Sequence, residues 1–300
     1  MRKVWAFIKI DDPFVAWECS RGVLISAKSE TSKQVTPLSL WMTKKLQTMN
    51  FLATKNEFRL ELIRRQSHPQ IVSRLECLYC FESESAAKST IGVWGSITSH
   101  FRQEFLCELE LLDGAKVTKV DSNWITDNLN KPSVSNEWMY LYWQGNASNN
   151  HRPIWELLVS GRMKVLRDDL RERAAKTLLS RFPESERLLQ LSKISADLGS
   201  DLGHIFAQGF SQSHNEMVVS YLMNFEDADN RNFIDKLRVH PVYVNTPLIP
   251  KEALTTPNFT EKSFKLTVKD PKASLFSDAS ASIIRSNVTK DELLKFKRRS

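Results

Sequence analysis

Three hundred residues, 41% of them apolar and eight of them tryptophan, suffice for one large domain or two ordinary ones and exclude a disordered chain. A net charge of +7 and a pI near 9.2 favour a polyanionic partner such as nucleic acid, although the basic residues are scattered rather than striped. No stretch approaches the ~20 apolar residues of a membrane-spanning helix, and four cysteines do not make a secreted disulfide framework in so long a chain, so a reducing, cytoplasmic setting without membrane contact is expected.

Residues 3–10 read as a buried strand rather than a signal peptide, since Lys9 breaks the apolar run and Asp11 and Asp12 end it. Val23 to Ile25 begin a second strand after Gly22. Thr36 before Pro37 has the form of an N-cap with proline at the first helical position. From there to Arg65 apolar residues recur at helical spacing, which predicts one broken helix or two short ones, ended by His68 and Pro69. Leu75 to Phe81 read as a strand carrying Cys77 and Cys80. Positions three apart on a strand face opposite ways, and no His pair or second C-x-x-C completes a zinc site, so no metal is expected. His68, His100, His204 and His214 likewise show no ligand spacing and are read as structural.

A short helix over 84–88, strands over 104–112 and 116–120, and a helix over 136–143 follow. The polar loop 145–150 then opens into strands over 155–159 and 163–166. The character changes near Arg167. Helical patterning over 168–181, 188–202, 216–225 and 232–237, one strand over 264–268, and a capping box from Thr289 to Glu292 suggest a mostly helical region. The division expected is an α+β domain over 1–168 and a mostly helical C-terminal region over 169–300.

Two segments carry a resemblance. The first is Ile63 with two arginines after it, then SRLECLY at 73–79; the second is YWQGN at 142–146, then PIWELLVSGRMKV at 153–165. Asp121 and Asn123 add an Asp-x-Asn element. Together these resemble a bacterial ADP-ribosyltransferase-like family long catalogued as a domain of unknown function, over about residues 60–166. The ELLVSG piece is also similar to the third signature of ADP-ribosyltransferases generally, in which a glutamate opens the strand before a glycine turn.

The resemblance implies a split β-sheet with flanking helices that grips NAD as co-substrate. Glu156 would be the catalytic carboxylate, a fixed anion beside the positive charge that grows at the anomeric carbon as the nicotinamide bond breaks. Arg74 would hold the pyrophosphate as a bidentate donor, and Ser73 a ribose hydroxyl. Tyr142 and Trp143 would form a platform under nicotinamide or a target base, with Phe7 a further stacking candidate. The bland readings are a surface ion pair of Arg74 with Glu76, a strand start at Ser73, and core positions for Tyr142, Trp143, Trp5 and Phe7.

Two departures matter. Relatives carry a histidine on the first strand, for the adenosine ribose, and none stands in Trp5 to Lys9; Ile154 replaces the acidic or amide residue of arginine-modifying members. The acceptor expected is therefore nucleic acid, RNA before DNA, ahead of protein. The relatives further imply a toxin or phage-defence role, with an antitoxin or chaperone on the C-terminal region. The alternatives are a non-catalytic binding module on the same fold, or an NAD glycohydrolase or phosphotransferase.

Overall fold

The computed structural model describes residues 2–27, 35–132, 135–213, 216–244, 256, 264–268 and 283–287. The chain opens with β1 (Lys3–Phe7), α1 (Pro13–Arg21), β2 (Val23–Ile25), β3 (Val35–Leu38), α2 (Leu40–Thr48) and α3 (Phe51–Ser67). It continues through β4 (Leu78–Cys80), α4 (Glu84–Trp94), β5 (Leu106–Leu111), β6 (Lys116–Asp121), α5 (Asn123–Asn128) and α6 (Glu137–Trp143). Then come β7 (Trp155–Ser160), β8 (Arg162–Val165), α7 (Asp168–Leu179), α8 (Glu186–Asp197), β9 (Ile205–Ser213) and β10 (Glu216–Met223). The last elements are α9 (Arg231–Arg238), α10 (Pro241–Val244), β11 (Phe264–Val268) and β12 (Ile283–Asn287). The capping box at Thr289, the prolines Pro247, Pro250 and Pro257, and His214 lie outside the described residues.

The architecture is mixed α+β with antiparallel sheets. Strand orders are β1-β5-β8-β2, β4-β7-β6 and β12-β11-β10-β9-β3. The first two sheets meet at one bridge, where Trp5 and Phe81 exchange backbone hydrogen bonds of 2.9 and 2.7 Å. The β7–β8 connection passes from one sheet to the other through Gly161, whose φ of +129° and 2.8 Å separation of an ideal Cβ from the Ala115 Cα leave no room for a side chain. One apolar core lies between β1, β5, β8 and α7; a second lies beneath α2, α3 and α6 against β6 and β7.

Several sequence expectations need correction. Thr36 and Pro37 lie in β3; the helix begins three residues later, capped by Ser39, whose Oγ accepts from the Met42 amide at 3.1 Å. Proline is tolerated there because β3 is an edge strand. Only Leu78–Cys80 of the 75–81 segment is extended, since residues 74–76 form a turn instead. Residues 216–225, read as helix, contain the strand β10: Met217 to Ser220 are buried in succession, and a run covered on both faces carries no alternation to separate strand from helix. Strand β9 had no sequence signal assigned. The C-terminal region is thus helical and extended in turn rather than mostly helical, α7 to α10 alternating with β9 to β12.

Packing is continuous across residue 168. Leu170 and Ala174 of α7 lie in the core built by β1, β5 and β8, while Ala207, Met217 and Val219 of β9 and β10 join Leu38, Met42 and Leu46 in the other. Strand β9 pairs with β3 along Leu38↔Ala207, immediately before α2.

Candidate functional site

A cavity of about 980 Å³ opens between the end of β1, the face of α2, the loop after α4, and the start of α5. Its floor is Glu156, the second residue of β7. Alternation along β7 aims Leu157 and Val159 into one core and Leu158 into the other. Glu156 shares the Leu158 face, is 8% exposed, and sits opposite Val120 of β6. No described residue gives its carboxylate a hydrogen bond or an ion pair. Burial pushes its pKa up from the ordinary 4.5, while the positive charges of Arg74 and Lys45 pull the other way. A buried carboxylate without a partner is costly, so its persistence at a cavity wall marks a candidate for chemistry.

The start of β7 is fixed from β6. Asp121 is fully buried and accepts from the amides of Asn123 (3.1 Å), Ser148 (2.8 Å) and Ile154 (3.0 Å). The Asn123 side chain donates to the Arg152 carbonyl at 3.0 Å. The Asp-x-Asn element therefore ties down the polar loop and the residues just before Glu156, which is a positioning role. His151 in that loop is exposed and faces Asp127 at 3.4 Å.

The other residues singled out from the sequence divide. Arg74 reaches the cavity wall, but its guanidinium is committed: Nε donates to Glu57 Oε1 at 2.7 Å, Nη2 to Glu57 Oε2 at 3.3 Å, and Nη1 to the Tyr142 hydroxyl at 2.9 Å. Its partner is the buried Glu57 of α3, not Glu76. Burial works against its charge, yet Glu57 and the phenols of Tyr142 and Tyr79 carry its pKa well above arginine's usual value. Ser73 is turned away from the cavity and donates to Glu61 Oε2 at 2.8 Å. Glu57 and Glu61, one turn apart on α3, thus hold both residues of the 73–74 turn.

Tyr142 and Trp143 correct the platform expectation. Both are core residues with no face toward the cavity, 0% and 1% exposed, because α6 packs its aromatic side inward. Trp143 donates its indole N–H to the Leu60 carbonyl at 2.8 Å. Phe7 is mainly core, edge-on to Phe81 and Phe101, with one margin on the cavity.

Three further groups line the cavity, among them His100, which the sequence reading takes as structural. Trp41 and Lys45, one turn apart on α2, face inward, and the Lys45 ammonium lies 5.9 Å from the Trp41 ring and 5.6 Å from that of Tyr79. His100 brings its ring to 3.8 Å from Trp41 and 6.2 Å from Phe7. Its Nδ1 is buried without a hydrogen-bond partner among the described residues, and burial, with Lys9 and Lys45 nearby, lowers its pKa to about 3. The i,i+4 spacing of Trp41 and Lys45 was a usable signal; nothing local to His100 announces that its loop folds back onto β1.

Residues 26–172, just under half of the chain, match a family model described as a protein of unknown function, DUF2441. No curated protein matches the chain. Among the described residues no helix is long and apolar enough to cross a membrane.

Proposed function

We propose that this protein is an NAD-dependent ADP-ribosyltransferase in which Glu156 is the catalytic carboxylate. The observation that carries the reading is the unpaired Glu156 side chain on the wall of a cavity large enough for a dinucleotide. The residues present suit that substrate. Trp41, Phe7 and Tyr79 offer ring surfaces for planar bases, and Lys45 offers positive charge for phosphate. His100, reaching the end of β1 from the loop after α4, supplies an imidazole beside the strand that lacks a histidine of its own.

In this reading the nicotinamide–ribose bond breaks with its electron pair leaving on the ring nitrogen, which is already cationic and needs no general acid. Glu156 sets a negative charge beside the carbon that becomes electron-poor, in a site already shielded from bulk water, and an acceptor nucleophile closes on that carbon. Only the ionised carboxylate serves. Because burial raises the Glu156 pKa, activity should fall with decreasing pH at a point above the ordinary glutamate value of 4.5.

The test is release of nicotinamide from NAD, with transfer of radiolabelled ADP-ribose to total RNA and to cell lysate followed in parallel. Glu156→Gln, which keeps shape and removes charge, is expected to cut release by about a hundredfold or more. Equal rates for the two proteins would refute the assignment. Label in RNA matches the basic charge of the chain, +7; label in protein reassigns the acceptor. Nicotinamide release without labelled macromolecule would make it a glycohydrolase.

A further inference from the structure

We propose that Lys45, not Arg74, grips the diphosphate of the dinucleotide in this cavity; the assignment rests on the ADP-ribosyl reading for the identity of the ligand but on separate observations for the residue. Among the described residues, five lysine and arginine side chains line the cavity: Lys9, Lys44, Lys45, Arg74 and Arg181. Four have polar partners. Lys9 donates to the Ser99 hydroxyl, Lys44 faces Asp12 at 3.7 Å, Arg74 is held by Glu57, and Arg181 donates to the Asp11 carbonyl at 3.3 Å. The Lys45 ammonium has no hydrogen bond and no ion pair with any described residue.

Its surroundings explain why it stays in place without one. Lys45 is half-buried, and its ammonium sits beside two neighbouring rings, 5.9 Å from Trp41 and 5.6 Å from Tyr79, which attract a cation while leaving its three N–H donors unspent. Tyr79 is itself fixed, donating its hydroxyl to the Arg74 carbonyl at 2.9 Å. Glu156 is near enough to act on Lys45 electrostatically, yet the two make no ion pair. A ligand in the cavity thus meets a carboxylate and a cation with free donors. That combination fits a molecule whose electron-poor carbon is separated by a short link from an anionic group. A sugar diphosphate has this layout.

Calorimetric titration of the full chain with ADP-ribose, inorganic pyrophosphate and adenosine tests the assignment, comparing wild type with Lys45→Met and Lys45→Gln. Methionine keeps an unbranched apolar stem beside the two rings, and a thermal melt of each variant establishes that it folds. Both substitutions are expected to weaken ADP-ribose and pyrophosphate by about ten- to a hundredfold and leave adenosine unchanged, since a charge-assisted hydrogen bond is lost. Lys45→Arg should recover most of the affinity. Unchanged binding of both anions in the folded variants, or no binding of either anion to wild type, overturns the assignment. The two readings separate cleanly. If pyrophosphate binding depends on Lys45 but the wild-type protein never cleaves NAD, the diphosphate grip stands and the transferase fails. If NAD is cleaved with an unaltered KM in Lys45→Met, the transferase stands and the grip fails.

Discussion

Arg74 is the residue for which ligand binding and architecture make opposite forecasts, and the structure gives the size of the difference. Its side chain is 2% exposed and that of Glu57 0%, with Nε–Oε1 at 2.7 Å and a further bond to the Tyr142 hydroxyl at 2.9 Å. Arg74→Leu would strand a buried carboxylate, a loss of about 3–5 kcal/mol. The unpaired phenol oxygen adds about 1 kcal/mol. At roughly 2–4 °C per kcal/mol for a chain of this order of size, the melting temperature should fall by about 8–24 °C. Glu57→Leu alone should cost a comparable amount, because it leaves the guanidinium buried instead. The double variant replaces the pair by apolar side chains and should recover most of the loss, giving a coupling of about 3 kcal/mol or more. Calorimetric melts and urea titrations of the four proteins close the cycle. An Arg74→Leu protein within about 1 kcal/mol of wild type, or a double variant no better than either single one, would refute the structural role and return Arg74 to the ligand.

Four further outcomes are expected. Glu156→Gln should raise stability at neutral pH by roughly 1 kcal/mol: the folded-state pKa is raised, so the contribution of the wild-type carboxyl is present below the unfolded pKa and lost as pH rises through the folded one. The gain should vanish near pH 4 in paired urea titrations. His100 behaves in the opposite sense. With a folded pKa of about 3 against 6.5, wild type should lose up to about 2 kcal/mol between pH 7 and pH 5, and His100→Phe, which keeps a ring on Trp41, should lose correspondingly less. Asp121→Ala leaves three buried amides without an acceptor and should cost about 2–4 kcal/mol, with faster hydrogen exchange at Ser148 and Ile154; unchanged protection there would count against the tether. Gly161→Ala must place a Cβ against Ala115 at positive φ, and a thermal melt should register at least about 1 kcal/mol of destabilisation.

The strands over 3–7, 106–111 and 155–160 were legible because each is a short apolar or alternating run bounded by turn residues, and α2 and α3 because their apolar spacing persists over several turns. Strand β10 was not, since successive buried positions erase the period that separates strand from helix. Glu156 stood out as a lone acid in an apolar run, and the structure places it on a cavity; its chemical role rests on the proposal above. Ser73 and Arg74 looked like ligand-binding residues because sequence shows a donor without its acceptor. Glu57 and Glu61, at i,i+4 spacing on α3, were the available warning. The i,i+4 placement of Trp41 and Lys45 on α2 was readable, but that this face lines a cavity, and that the loop carrying His100 folds back onto β1, reside in tertiary contacts and not in local pattern.

The distribution of satisfied and unsatisfied charge separates scaffold from chemistry more sharply than burial does. Asp121 accepts three hydrogen bonds from backbone amides, Glu61 accepts from Arg64, Arg65 and Ser73, and Arg74 fills its fork with Glu57 and Tyr142. In the same neighbourhood the side chains of Glu156 and Lys45 have neither hydrogen bond nor ion pair with a described residue, although each lies in the other's field. Folding alone favours pairing such groups or replacing them with apolar ones. Leaving them unpaired on one cavity sacrifices stability, which the interaction with a ligand proposed above would offset. The two sets should therefore respond differently to neutral substitution. At Asp121, Glu57 and Arg74 stability and activity should decline together. At Glu156 and Lys45 activity should fall while the melting temperature holds or rises. A Glu156→Gln protein that melts several degrees below wild type would place that carboxylate in the scaffold and remove the basis for assigning it chemistry.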